Sequence, residues 1–326
     1  MWRRQQPGVR QMRDLVPAQR TRVRNRARIR PVEPLMSRTD CGVFGGNMAG
    51  NSAMPGQSVV SKVVAILMAY SGDRIELSLT EISRASGLPT STAHRLVQDL
   101  VECGALERTP SGQYVVGLNL WGIAAHTPHS FSLGEAAMPY LQQLLDATGG
   151  HVHLAVLHGP QALVLEKLSP PEADERISRA GSHLPLHATA AGQVLLAYGP
   201  RGLADGILRT PLDVYTAKTL TDPGDLDNRL AVVRRQGVSR SCSELVTGLD
   251  ACAAPVFGER RTLVGSIGAI IPAGSASLQD VERSVRAAAK ELTVFLNGPA
   301  RETFSGPLFR PVLRHWDRNE TRDRAG

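Results

Sequence analysis

The sequence predicts an α+β chain: an N-terminal winged helix-turn-helix, a linker helix, and a C-terminal antiparallel sheet with helices packed over it. Three observations carry this. Between Ser58 and Gly117 a short helix with a capping signal, a glycine turn, a second helix and a hairpin follow one another. From Leu133 to Asn297 strand-like runs bounded by turn residues alternate with amphipathic stretches. The 326 residues, 42% hydrophobic and 21% charged, suit two soluble domains of ordinary size.

Residues 1–55 are rich in Arg, Pro, Gly and Asn without a helical or strand period, and are expected to be a disordered basic tail. Such an arm can add nonspecific phosphate contacts. It can equally be idle, or lie upstream of a later start at Met36, Met48 or Met54. The formal charge of +7 belongs to it: residues 1–38 hold eleven Arg against Asp14 and Glu33, leaving −2 for the other 288 residues.

The helix-turn-helix is assigned to 56–117. Ser58–Tyr70 places Val59, Val63, Ile66, Leu67 and Tyr70 on one face. Ser78-Leu79-Thr80-Glu81 is a capping box opening a short second helix, which Gly87 ends in a left-handed turn. Pro89 suits the first turn of a third helix, with Leu96, Val97, Leu100 and Val101 facing inward. Leu106–Arg108 and Tyr114–Val116 flank a turn at Ser111-Gly112, a hairpin placed as a wing. Hydroxyls and basic groups on these surfaces suit phosphate and base-edge contacts, so the DNA-binding candidates are Ser78, Thr80, Thr90, Ser91, Thr92, His94, Arg95, Arg108 and Gln113. Gln57–Gly117 holds five basic and six acidic residues, so one copy should bind weakly, which favours an oligomer presenting several heads.

Residues 118–132 read as a linker helix interrupted at Thr127-Pro128, and 133–298 as a second domain opened by a helix from Leu133 to Thr148. Strands follow at His151–Leu157 and Ala162–Leu168, with another expected after Glu172–Arg179. The small-residue loop from Gly181 to Gly192 leads into a helix ending near Tyr198. Helices at Gly202–Leu208 and Leu226–Gln236 precede strands near 238–244, 251–257 and 262–271. A closing helix, Leu278–Leu296, has Ser277 as its cap and Asp280 as box partner. Residues 299–326 mix Arg, Pro and acids and read as a loose tail.

Leu79-Thr80-Glu81-Ile82, Ser86-Gly87-Leu88-Pro89, Ser91-Thr92-Ala93-His94-Arg95-Leu96, Gly104-Ala105-Leu106 and Gly112-Gln113-Tyr114 together resemble the winged helix of the IclR family of bacterial regulators. Val152-His153-Leu154-Ala155-Val156, Gly181 through Gly192, Thr219-Leu220-Thr221-Asp222 and Ala253-Ala254-Pro255-Val256-Phe257 look like that family's effector-binding domain, which is GAF-like. The resemblance spans roughly 57–298. It implies a cytoplasmic, ligand-responsive transcriptional regulator, expected to be a repressor although repression and activation use the same parts in this family, with an operator DNA, a small organic acid effector and further copies of itself as partners, and no cofactor. The implied effector liners are Leu184, His187, Thr189, Ala190, Ala191, Ser241, Glu244, Ala251, Cys252, Gly268 and Ile270. A segment of small residues at a helix N-terminus exposes N–H groups suited to a carboxylate. The family often has Lys at position 90 and Arg at 115, where this chain has Thr and Val, which weakens expected phosphate contact. It usually has an acid near 241, Cys at 251 and Ser at 268. Ser241, Ala251 and Gly268 make this pocket less polar, pointing to an effector more apolar than a small keto acid, such as an aromatic acid.

Other classes are weaker. His151, His153, His183 and His187 suggest a metal sensor, but Pro185 separates the last two and histidines of this kind are commonly satisfied core or loop residues. There is no G-x-S-x-G elbow, phosphate-cradling glycine loop or H-E-x-x-H, and nothing orients Ser266 and His153 as a nucleophile pair, so an enzyme is not expected. Four cysteines without C-x-x-C spacing fit a reducing cytoplasm. Neither a signal peptide nor a membrane span is expected.

Overall fold

The computed structural model describes residues 58–71, 74–124, 128–171 and 179–298. The two expected tails, and nearly all of the segment expected to lead into a strand after Leu168, lie outside the described residues.

Helix α1 (Val59–Met68) starts where the Ser58 hydroxyl accepts the Ser61 N–H. Helix α2 (Leu79–Ser86) is opened by a complete capping box: Ser78 Oγ accepts the Glu81 N–H, and the Glu81 carboxylate accepts the Ser78 N–H at 2.9 Å. Gly87 then takes φ 68°, a left-handed value that a side chain would strain. Helix α3 (Thr90–Glu102) buries Ala93, Leu96, Val97 and Leu100 against Ile66 and Ile82. Strands β1 (Leu106–Arg108) and β2 (Tyr114–Val116) pair antiparallel with Leu106 opposite Val116. Leu77 exchanges backbone hydrogen bonds with Tyr114 at 3.0 and 2.8 Å, tying the hairpin to the segment before α2. Helix α4 (Leu118–Ala124) follows.

Helix α5 runs Pro128–Thr148, so the expected interruption at Thr127-Pro128 is where this helix begins. Proline at a first helical position loses no hydrogen bond, because that N–H has no partner in any helix. The boundary expected at 132/133 therefore falls inside α5.

The second domain is a six-stranded antiparallel sheet built from β3 (His151–His158), β4 (Gln161–Leu168), β5 (His183–Pro185), β6 (Ser239–Cys242), β7 (Leu249–Phe257) and β8 (Leu263–Pro272), in the order β5-β4-β3-β8-β7-β6. Residues directly opposite in such a ladder share a face. Val152, Ala269 and Cys252 are in register and pack against α5 and the closing helix α9 (Leu278–Asn297), where Leu141, Leu144, Val285 and Leu292 are buried. His153, Gly268 and Ala253 are in register on the other face. That face carries α6 (Ala190–Tyr198), α7 (Arg201–Leu208) and α8 (Pro223–Gln236), with Val194, Leu195, Leu230 and Val233 in its core. The sheet is thus a middle layer between two helical layers.

One expected cap is corrected. Ser277 precedes α9 but its side chain makes no capping hydrogen bond, and the Asp280 carboxylate is held by Arg283 instead. Aspartate is a methylene shorter than the glutamate of a capping box and reaches back less readily.

Candidate functional site

The first candidate surface is the outward side of α3 with the hairpin. Thr90, Ser91, His94 and Arg95 are exposed on the first turns of α3, and Thr92 is half-buried. Thr80 is exposed on α2. Thr90 Oγ1 lies 3.2 Å from Ser83 Oγ, so the two hydroxyls bridge α2 and α3. Arg95 meets Asp99 at 3.7 Å, an exposed i,i+4 pair that contributes little and leaves its guanidinium available to an acceptor. On the hairpin, Arg108 is exposed with its guanidinium 6.0 Å from the Tyr114 ring centre, and Gln113 is half-buried. Ser78 differs from the others: its hydroxyl both caps α2 and donates to Glu81 Oε2 at 2.7 Å.

The second is a cavity of about 490 Å³, open mouth included, between the sheet, the first turn of α6 and the turn that joins β6 to β7. Leu184, Thr189, Ala190, Ala191, Ser241, Ala251 and Ile270 line it, and so do His153, Ala188, Leu245, Val246 and Leu249. Its lining is mostly apolar, with His153, Thr189 and Ser241 as the polar side chains. Thr189 is the N-cap of α6. Its hydroxyl accepts the Gly192 N–H at 3.0 Å and donates to the Pro185 carbonyl at 2.8 Å. Helix geometry leaves the N–H groups of Ala190 and Ala191 without intrahelical acceptors, at the positive end of the helix dipole.

Four expected liners do not line this cavity. Cys252 is fully buried on the opposite face of β7, with its sulfur 3.9 Å from the Leu278 carbonyl; side chains alternate along a strand, so Ala251 and Cys252 cannot face the same cavity. Burial, chiefly, pushes its thiol up to about 12. Gly268 lies on the cavity's side of the sheet but supplies room rather than contact: a Cβ there would come within 3.3 Å of His153 Cε1. His187 is buried with Nε2 2.9 Å from the Asp213 carbonyl. Glu244 is buried and accepts from Arg229 at 2.9 Å and from Gln193 at 2.8 Å. Gln193 also accepts from Ser239 at 2.6 Å, while the Thr216 and Thr219 hydroxyls donate to the Ser243 and Glu244 carbonyls at 2.7 Å. This network pins the turn that carries Leu245 and Val246 and leads into Leu249 at the start of β7, and Ser243 within it adopts φ 58°.

The histidines do not converge. His151 Nδ1 is 2.9 Å from Ser169 Oγ and His183 Nε2 is 3.3 Å from His158 Nδ1, while His153 and His187 are placed as above. Among the described residues no group of three or more His, Cys, Asp or Glu side chains could hold a metal ion. Nor is Ser266 set against His153: its hydroxyl is directed at the Ala191 carbonyl, 3.5 Å away. His153 itself is 3% exposed, and neither ring nitrogen has a hydrogen-bond partner among the described residues. Burial, then the nearby charges of Lys167 and His151, lowers its proton affinity to a pKa of about 4.

Sequence reasoning missed the Leu245–Leu249 wall and weighed His153 only as a metal or nucleophile residue. The apolar pair Leu245-Val246 inside a turn was the available signal for the first, and strand alternation from Ala155 for the second.

Residues 59–110 match the family model of the IclR helix-turn-helix domain, and residues 125–294 match that of the IclR C-terminal domain of bacterial transcriptional regulators. The chain belongs to the IclR family. The HTH-type transcriptional regulator XynR of Escherichia coli K12 is 31% identical over 221 residues, covering 66% of this chain and 86% of its own length. The transcriptional repressor IclR of the same organism is 29% identical over 229 residues, 68% of this chain and 84% of its own. The crystal structure of an IclR homologue from Microbacterium hydrocarbonoxydans, complexed with 4-hydroxybenzoate, is 30% identical with a TM-score of 0.67, covering 73% of this chain and 99% of that one. This chain is accordingly an IclR-family transcriptional regulator, with a helix-turn-helix DNA-binding domain and a C-terminal effector-binding domain. No helix among the described residues is long and apolar enough to cross a membrane.

Proposed function

We propose that this protein is a cytoplasmic repressor that holds operator DNA as an oligomer and changes its grip when a small organic acid occupies the cavity beside α6. The observation that carries the ligand reading is the cavity itself: apolar walls meet the first turn of α6, where two backbone N–H groups suit a carboxylate. With no charged side chain among its liners, it favours an acid whose body is apolar, such as a single aromatic ring. The aromatic acid bound by the Microbacterium relative agrees with that class. Thr80, Thr90, Ser91, Thr92, His94, Arg95, Arg108 and Gln113 are the proposed DNA contacts, with Ser78 positioning α2. A second copy would supply the second head, and the exposed Val60, Trp121 and Ile123 on α1 and α4 offer apolar surface for it.

The test is a mobility shift of the purified protein on its own upstream intergenic DNA, beside a shuffled duplex, across a salt series and with aromatic and keto acids added. A salt-sensitive preference for the native duplex, altered by an aromatic acid, is expected. Equal binding to both duplexes would sink the operator reading, and a response only to pyruvate-sized acids would sink the aromatic one.

A further inference from the structure

We infer that His153 reads a hydroxyl group on the effector, so that the regulator responds to a hydroxylated apolar acid rather than to its unsubstituted parent. The inference rests on the proposed acid-binding role of the cavity and names a second recognition point within it.

Three polar side chains line the cavity, and two are already committed. Thr189 uses its hydroxyl on Gly192 and Pro185, and Ser241 Oγ donates to the Ala188 carbonyl at 3.3 Å. His153 is different: it is almost wholly buried, it faces the cavity, and both nitrogens lack partners among the described residues. Burying a polar group without a hydrogen bond is costly, so a native structure that retains one needs something to satisfy it. The neighbouring strand makes room for the ring. Gly268 lies directly opposite His153, and any side chain there would crowd the imidazole edge.

The chemistry narrows what fits. Burial and the neighbouring Lys167 and His151 keep the ring neutral, so it offers one N–H and one lone pair. A hydroxyl answers both possibilities, accepting from the N–H or donating to the bare nitrogen. The acid group has a separate place in the first turn of α6, where N–H donors and the helix dipole favour negative charge. A ligand spanning the two points across apolar walls is a hydroxylated acid with a hydrocarbon body.

The experiment is calorimetric titration of the full-length protein with benzoate, 3-hydroxybenzoate and 4-hydroxybenzoate, repeated on His153→Leu and His153→Gln. Circular dichroism and the operator shift check that each variant is folded. At least one hydroxybenzoate should bind about tenfold tighter than benzoate, the worth of one well-made hydrogen bond. That ratio should collapse to near one in His153→Leu through loss of the hydroxybenzoate, and recover in part in His153→Gln. Equal binding of all three acids to the wild type, or an unchanged ratio in His153→Leu, would overturn the role of His153 and leave the acid-binding cavity standing. Loss of all three acids alike in His153→Leu would put the carboxylate on the imidazole and overturn it as well. Failure of every acid to bind the wild type would overturn the aromatic-acid reading and the His153 inference together.

Discussion

At the scale of single residues, the site is set by what is small and what is left unpaired. Gly268 is the clearest case: a Cβ would lie 2.8 Å from the Cys252 carbonyl and 3.1 Å from Ala253 Cβ as well as against the His153 ring. Gly268→Ala should therefore overpack the middle of the sheet, costing about 1–3 kcal/mol. A lower denaturation midpoint at unchanged slope is the expected reading; an unchanged midpoint would show that β8 moves aside freely. His153 gives a pH signature. Its folded pKa, about 4, lies below the ordinary 6.5, so between these values the unfolded chain binds more protons. Its contribution to stability is complete above pH 6.5 and is lost as pH falls towards 4, at up to about 1.4 kcal/mol per pH unit. Unfolding free energies of the wild type, set against His153→Leu, should diverge across that window. Parallel profiles would mean that the ring is solvated.

At the scale of elements, legibility followed locality. The α2 capping box, the Gly87 turn and the hairpin at Ser111-Gly112 could be read because each depends on residues a few positions apart. What lies across the sheet could not be read this way. Cys252 was expected in the cavity and Leu245, Val246 and Leu249 were not, because the face each residue takes depends on a register shared by three strands and on a turn pinned from α6 and α8. The pinning is testable. Arg229→Met would leave the Glu244 carboxylate, 5% exposed, without its cation, a loss on the order of 3 kcal/mol for a buried pair broken on one side. The turn should loosen, so effector binding should weaken while the helix-turn-helix, which shares none of these bonds, keeps its operator affinity. Equal damage to both would argue against the separation. On α3, Arg95→Ala should cost about 1–3 kcal/mol of operator binding if the guanidinium reaches a base, with the loss concentrated on the native sequence over a shuffled one. A uniform loss with a shallower salt slope would instead assign it to a phosphate.

At the scale of the whole molecule, charge constrains how DNA can be held. The helix-turn-helix segment carries five basic and six acidic residues, so electrostatic attraction by one head is feeble, and the proposed oligomer would add repetition to shape and hydrogen bonds. Two heads on one rigid assembly convert the second contact into an intramolecular event, and their spacing then becomes the quantity a ligand can alter. Trp121 and Ile123 on α4 are 66% and 71% exposed, a cost in water that a second copy would relieve. Substituting both with Ser should leave circular dichroism unchanged, because neither packs in a core among the described residues. Sedimentation should show a smaller species, and the operator shift should move to higher protein concentration with reduced cooperativity. The same loss should follow in the wild type when one half of the operator is scrambled. If the double variant keeps its mass and its cooperativity, α4 is not where copies meet, and in the proposed oligomer the pairing surface would lie on the second domain, which would then have to pass its ligand state to the heads through α5.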